Sequence, residues 1–427
     1  QLFNMKILVI GAGGREHALV WKFKQSEKVE KIFCAEGNVG IAQIADCINI
    51  KPDEIKKLVD FASENKIDLT FVGGEIPLAL GVVDEFENRG LKIIGANQQA
   101  AQLEASKGFA KDFMARHKIP TAEYKTANSV GDAKDILKSG KFGDKKTPLV
   151  IKADGLAAGK GVIVAENHIK AVQAIEELEN FVGKKAAQKI VLEECLYGRE
   201  VSLLMFADGK NFALMPSVRD HKRIGENDKG ENTGGMGTIT DRNLLSEEQT
   251  RAIIETIIKP TLNGAEKEGF PFRGILFIGL MMTETGAKAL EYNVRFGDPE
   301  TQVILIRLET DLVDICEAIY SQNLSNLKIE WEEGNSSCIV LAAKGYPKKA
   351  QTGDIIKGLE KAEAIENVQI FHAGTAKDAN SNFITKGGRV LGITATGENL
   401  SESLKRAYKA VGEISWNGMQ YRRDIGK

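Results

Sequence analysis

Short apolar runs followed by glycines and then by helical spacing recur through the first hundred residues. Residues 6–10 (Lys-Ile-Leu-Val-Ile) run into Gly11-Ala12-Gly13-Gly14, and a helix opens at Arg15. Residues 31–34 and 68–72 are further strands, the second running into Gly73-Gly74-Glu75, and residues 91–95 read as a last strand. Strands alternating with helices predict a parallel sheet with right-handed crossovers. The pattern then changes. Residues 98–105 and 107–117 are helical in spacing, and Pro120 ends them. Residues 126–139 and 169–182 also read as helices. Between them, 149–152 and 162–164 read as the strands of a hairpin with a tip of small residues, and 190–196 reads as a strand leaving this unit.

Downstream, 200–207 and 211–216 predict a hairpin turning at Asp208-Gly209. A polar, glycine-rich loop follows at 225–237. Residues 246–268 predict an amphipathic helix broken at Pro260. Strands are expected at 275–282 and 288–294. The last part reads as short strands at 339–342, 370–373 and 389–396 with a helix at 399–415. The expected fold is therefore α/β and α+β, in several domains. These are an N-terminal parallel-sheet domain (5–105), a main domain (106–123 and 190–330) with a small α+β lid (124–189), and a small, mixed, β-rich C-terminal domain (331–427).

Length and composition narrow the partners. A chain of 427 residues suffices for about two to four domains. With a net charge of -2 there is no excess that would mark a nucleic acid or an anionic membrane as partner, so an anionic ligand must be held by local clusters. The longest apolar run, near 275–282, is far short of the ~20 residues that span a bilayer. No secretory signal is evident, and Gln1 to Asn4 precede Met5, which reads as the native start. Five cysteines without a C-x-x-C pair, and five scattered histidines, point to reduced thiols in a cytoplasmic protein and away from zinc or disulfides.

Five segments carry chemistry. In the hairpin, Lys152 and Lys160 flank a tip in which Gly155, Ala158, Gly159 and Gly161 let a backbone approach phosphates. It is not a Walker loop, since Gly161 stands where Ser or Thr would hold the metal. Gly13 and Gly14 open a helix whose N-terminus suits an anion. The dinucleotide pattern G-x-G-x-x-G fails at Glu16; Glu36 could still serve as a ribose acid, so a dinucleotide stays open there, with phosphate favoured. On the strand ending at Val294, Glu291 and Asn293 share a face, and two oxygen ligands so placed suit Mg²⁺. Arg295 continues that face and could pair with a carboxylate. Asp220-His221-Lys222-Arg223 precedes a Gly-Gly-Met-Gly loop, and Arg389 follows a Gly-Gly turn from which it could reach a phosphate.

These segments resemble the ATP-grasp superfamily, and within it the glycinamide ribonucleotide synthetase (phosphoribosylamine–glycine ligase) family. The resemblance is carried by G-A-G-G-R-E-H-A (11–18), V-I-K-A-D-G-L-A-A-G-K-G-V (150–162), D-H-K-R (220–223), N-T-G-G-M-G (232–237) and E-Y-N-V-R-F-G-D-P-E-T (291–301). G-Y-P (345–347), F-H-A-G-T (371–375) and G-G-R-V (387–390) extend it to the last domain. Gly74 departs from a frequent Pro, and Tyr292 and Val294 from Phe and Cys. The strand before, at 280–282, lacks the acidic metal ligand general in the superfamily.

The resemblance implies a pre-ATP-grasp domain, an ATP-grasp domain with its lid, and ATP as substrate with Mg²⁺ or Mn²⁺ on Glu291 and Asn293. ATP would be held by Lys107, Lys152, Gly155, Ala158, Gly159, Lys160, Gly161, Glu193, Glu194 and Leu196. It implies glycine and 5-phosphoribosylamine as co-substrates, joined through a glycyl phosphate. Gly13, Gly14, Arg15, Glu16, Glu75, Asp220 and Arg389 would contact them, and Arg295, Asp298 and Lys222 would act in the chemistry. A cytoplasmic monomer without nucleic-acid or membrane partners is expected. A carboxylase acting on bicarbonate would share the hairpin and the E-x-N strand but should lack G-G-R-E-H and D-H-K-R together. A regulatory nucleotide-binding module without turnover has no reason to keep Lys152, Lys160, Glu291 and Asn293.

Overall fold

The computed structural model describes residues 4–140, 142–143, 146–155, 161–183 and 188–427. The first sheet has five parallel strands in the order Asp46–Ile48, Val29–Glu36, Met5–Gly11, Leu69–Val72, Ile93–Ile94. Ile7, Leu8, Val9, Ile10 and Leu69 are all fully buried. The central strands of a parallel sheet are covered on both faces, which is why they read as unbroken apolar runs. The two strands that follow Met5–Gly11 in the chain lie on one side of it and the next two on the other. The loops after Gly11 and Val72 therefore open on one crevice, the usual ligand position in such sheets.

A nine-stranded sheet forms the body. Along its path run Gly286–Asn293, Arg273–Thr283, Arg199–Asp208, Val218–Asp220, Gly237–Thr240, Asn335–Ala342, Arg389–Gly397 and Val368–His372, all paired antiparallel. The C-terminal strands, expected as a domain of their own, thus continue the main sheet, with Thr238 opposite Cys338. Their hydrophobic core is nevertheless distinct: Ile339, Leu341, Ile393 and Trp416 cluster with Val411 of the helix Leu400–Glu413. Continuity of hydrogen bonds and separation of cores coexist because strand pairing and side-chain burial are perpendicular to each other.

The lid is a four-stranded sheet ordered Tyr124–Ala127, Ile190–Glu194, Leu149–Ala153, Val162–Ala165, backed by the helices Val130–Lys138 and His168–Val182. Its own core includes Ile151, Ile175, Leu178 and Leu192. The strand Ile190–Glu194, expected on the main-domain side of the boundary, lies inside the lid sheet between Tyr124–Ala127 and Leu149–Ala153. Residues 126–139, expected to be helical throughout, begin as strand. Ser129 then caps the helix by accepting the Asp132 N–H.

Pro260 does not break its helix. The α-helix Glu247–Ile253 passes into a π-helical turn, Ile254–Ile258, and resumes at Lys259–Lys267. Pro260 falls in the first turn of the resumed segment, where a missing N–H is tolerated. The loop 225–237 contains a small hairpin, Arg223–Gly225 with Lys229–Asn232. Among the described residues, no helix is long and apolar enough to cross a membrane.

Candidate active site

The crevice above the first sheet is shaped by Glu16. Its Oε2 accepts the Gly13 N–H at 2.7 Å, and its Oε1 takes Nε of Arg15 at 2.7 Å. A Cβ added to Gly11, Gly13 or Gly73 would fall 2.5, 2.9 or 2.1 Å from this side chain. Glu16 is 2% exposed. Expected as a substrate contact, its side chain serves as an internal prop on which the glycine loop folds, because the capping geometry turns its carboxylate inward. Gly13 and Gly14 stay at the mouth, facing Asp298 and Gln302. Arg15 reaches across to the Phe296 carbonyl at 3.0 Å, in the field of Glu75 and Asp298.

The strand Gly286–Asn293 supplies the far wall. Its pairing with Arg273–Thr283 shifts by one residue between Gly279 and Leu280, so that Glu291 lies opposite Gly279 and Ala289 opposite Leu280. Such a bulge re-aims side chains next to a site. Burial alone would raise the pKa of Glu291, but Lys222, Lys152, Lys107 and Arg295 outweigh it and hold the group ionised. Asn293 Oδ1 accepts from Arg295 Nη2 at 3.3 Å. Arg295 is clamped by two acids: Nη2 lies 2.7 Å from Glu104 Oε1, and Nε 3.3 Å from Glu75 Oε2. That Nε is buried without an aligned acceptor. Buried donors are rarely left so. Glu104 also accepts the Val294 N–H at 2.8 Å.

On the lid side, Lys152 Nζ lies 2.8 Å from Glu193 Oε1, and Lys111 Nζ 2.9 Å from Glu193 Oε2. Glu193, expected to contact adenine or ribose, is 2% exposed and is spent between two lysines. A carboxylate beside two buried ammonium groups is the cheaper arrangement in low dielectric. Lys107 Nζ donates to the Gly155 carbonyl at 3.3 Å, and burial lowers its pKa against the pull of Glu291. Asp154 ties the hairpin to the helix Lys107–Arg116, accepting the Gly108 N–H at 2.6 Å and the Ser106 hydroxyl at 3.0 Å. Glu194 accepts the Glu123 N–H at 3.0 Å and Lys288 Nζ at 3.2 Å. Gly161 is buried beside the lid strand, and Leu196 is half-buried beyond it. Ala158, Gly159 and Lys160 lie outside the described residues.

The Gly-Gly-Met-Gly loop closes the third side. Asp220, half-buried, and Glu300, buried, lie near one another, and both carboxyls are raised: loss of water acts first on each, and Glu300 adds to it for Asp220. Lys222 is shifted up despite burial, by Glu200, Glu291, Asp220 and Glu300. Asp298 is held low against burial by Arg389 and Arg15, and Gln302 donates to it at 2.9 Å. Arg389 donates to the carbonyls of Gly234 and Asp298, both at 2.6 Å, and thus pins this loop to the C-terminal strands.

The fold therefore gathers Lys107, Lys152, Lys222, Arg295, Glu291, Asp220, Asp298 and Glu75 around one cleft. Glu104 and Lys111 belong to it and were not marked by sequence reasoning; Glu300, inside the quoted run 291–301, belongs to it too and had been given no role. The sole visible signal was Glu104 as the single acid of the helix Gln98–Ala105. Among the described residues, no cluster of three or more His, Cys, Asp or Glu could hold a metal. A Mg²⁺ that keeps its waters and shares phosphate oxygens needs fewer protein ligands than that, and an ionised Glu291 with the Asn293 amide oxygen fits it.

Three family profiles tile this chain. The phosphoribosylglycinamide synthetase N domain matches residues 5–104, its ATP-grasp (A) domain 105–301, and its C domain 336–427. The chain is 45% identical over 423 residues to a phosphoribosylamine–glycine ligase of Caldanaerobacter subterraneus subsp. tengcongensis, covering 99% of each. It is 46% identical over 424 residues to one of Clostridium acetobutylicum, covering 99% of this chain and 100% of that one. Its structure is similar to crystalline phosphoribosylamine–glycine ligase from Thermotoga maritima, with a TM-score of 0.84, 32% identity, and 99% and 100% of the two chains covered. A biotin carboxylase domain from Hydrogenobacter thermophilus, 19% identical with a TM-score of 0.74 and 99% and 92% coverage, shares the fold alone.

Proposed function

Since the chain belongs to the phosphoribosylglycinamide synthetase family, we infer from its cleft how it works as an ATP-dependent ligase. It joins glycine to 5-phosphoribosylamine in purine biosynthesis. The single observation that carries the mechanism is the meeting of Lys107, Lys152 of the lid and an ionised Glu291 in one cleft. That combination serves phosphoryl transfer, in which the protein positions reactants and offsets charge.

We assign Lys107 and Lys152 to the phosphates, with Gly155, Gly161, Ala158, Gly159 and Lys160 over them. The stretch Glu194 to Leu196 would follow the base and ribose. Glu291 and Asn293 would hold Mg²⁺ or Mn²⁺, which supplies charge neutralisation when bound. The glycine carboxylate attacks the γ-phosphorus: a carboxylate O–P bond forms and the bond to the bridging oxygen of ADP breaks. Arg295 would receive the glycine carboxylate on its unaligned Nε–H, Glu104 and Glu75 fixing its orientation. The amine of phosphoribosylamine then attacks the acyl carbon; the C–N bond forms, phosphate leaves, and the nitrogen gives up a proton. Lys222 and Asp298 would flank that step. Gly13, Gly14, Arg15, Glu75, Asp220 and Arg389 form the wall proposed for the sugar phosphate.

Five free thiols support a cytoplasmic setting. Glycine labelled with ¹⁸O in its carboxylate tests the intermediate. One label should appear in inorganic phosphate per turnover. Release of that label into water, with none in phosphate, would rule out a glycyl phosphate.

A further inference from the structure

Arg422 is the largest fully buried charged side chain and lies outside the cleft, at 1% exposure. Its Nε and Nη2 each reach an Asp424 oxygen at 2.8 Å, and its Nη1 reaches Asp228 Oδ1 at 2.7 Å and the Arg223 carbonyl at 3.2 Å. Asp424 in turn accepts the Asn227 N–H at 2.7 Å. Asn227 and Asp228 are consecutive non-glycine residues with φ of 56° and 52°. Left-handed backbone of that kind persists only where its surroundings hold it. Further along, Gly426 N–H donates to His221 Nε2 at 3.1 Å, and Nδ1 of the same ring contacts the Gly237 carbonyl at 3.0 Å. Ile425 fills the space beside Gly237, where an added Cβ would lie 2.8 Å from its Cδ1.

The segment so gripped, residues 221–237, is the loop that follows Asp220 and includes Lys222. It has little apolar surface of its own, and Lys229–Asn232 is exposed throughout. Its order cannot come from burial and must come from polar contacts. Arg389 and Tyr346 hold Gly234, and the stretch from Arg223 to Asp228 is held by residues 422–426, carried by the C-terminal domain. Tyr408, on the helix Leu400–Glu413, holds them by donating to the Arg422 carbonyl at 2.8 Å and accepting the Ile425 N–H at 3.2 Å.

We propose that residues 422–426 form a positioning strap for the catalytic loop, with Arg422 as the residue that locks Lys222 and Asp220 onto the reacting groups. Arg422 touches no substrate; it acts through the loop. The proposal rests on the reading of Lys222 and Asp220 as facing the non-nucleotide substrates. Displacements near 1 Å at a reacting centre cost up to about 100-fold in rate. An effect confined to that side of the cleft is therefore expected.

Arg422→Gln and Asp228→Gly test it, singly and together. The Asp228 side chain is 70% exposed, so its loss opens no cavity, and glycine accepts the left-handed backbone. Asp228→Gly should lower kcat/KM for glycine and for phosphoribosylamine about fivefold, and Arg422→Gln more than tenfold, with KM for ATP within twofold. The double variant should be no worse than Arg422→Gln. Amide hydrogen exchange at 223–232 should quicken in each. A fall in thermal midpoint with unchanged kcat/KM, or losses that multiply in the double variant, would overturn the strap. If the wild type released ADP without needing glycine and the amine, the reaction assigned above would fail instead, and loop exchange would still judge the strap.

Discussion

Lys111 should make the protein more stable as pH rises above 8, and Lys111→Met should abolish that rise. The lysine side chain is 3% exposed, 2.9 Å from Glu193 Oε2 and 2.7 Å from Thr121 Oγ1. It shares the one charge of Glu193 with Lys152. Burial is the largest influence and exceeds the pull of Glu193, so the ammonium pKa falls from 10.5 to about 8. The unfolded chain keeps its proton up to its ordinary pKa. Between those two values the unfolded state therefore binds more protons than the folded one, and stability rises with pH. The full difference is about 3 kcal/mol, at roughly 1.4 kcal/mol for each pH unit. Below pH 8 it is a constant cost. Other groups, including Tyr124 and Tyr292 with their raised pKa values, titrate in both proteins and cancel in the comparison.

Urea unfolding of both proteins at pH 7.5, 8.5 and 9.5 reads the effect. The wild-type stability minus that of Lys111→Met should climb by about 2 kcal/mol across that range. With an m-value of roughly 2 kcal/mol per molar, the difference in midpoint changes by about 1 M. A flat difference, or one falling with pH, would mean that Glu193 fully offsets burial, and the account of this triad would be wrong.

Three further outcomes follow from the cleft. Arg295→Ala removes a charged partner of the glycine carboxylate and should raise KM for glycine about 10- to 100-fold while KM for ATP stays within twofold; an unchanged glycine dependence removes Arg295 from that role. Glu291→Gln should raise the Mg²⁺ concentration for half-maximal rate by tenfold or more, measured at fixed ATP; no change would take the metal elsewhere. Gly73→Ala would place a Cβ 2.1 Å from Glu16 Oε1, costing about 1–3 kcal/mol, so the thermal midpoint should drop and KM for phosphoribosylamine should rise; a silent substitution would mean that the glycine loop does not depend on its Glu16 prop.

The strands of the first sheet and the hairpin around Lys152 were legible because their signals are local. An apolar run between glycines can be read without knowing what lies beside it, and Ser106 and Asn399 announce helix starts through their own side chains. Partnership was not legible. Glu193 stands in an apolar strand of ordinary appearance, and nothing nearby says that Lys111 and Lys152 will converge on it. Glu104 and Arg295 are far apart in the chain, yet the pair sits at 2.7 Å. The strand Ile190–Glu194 was recognised as a strand and put on the main-domain side of the boundary, since strand propensity says nothing of the neighbour it will pair with.

By itself, then, the order of residues determined which segments are strands and helices, where glycine lets a backbone come close to a ligand, and the ligase family. Those are properties of single residues and of spacing within one element. Only the tertiary structure decided that Glu16 turns inward as a prop, that Glu193 is consumed by two lysines, that the C-terminal strands join the main sheet, and that Arg422 holds the loop of Lys222. Each of these depends on which charges are brought together away from water, and desolvation, which sets their protonation and their partners, exists only once the chain has closed around them.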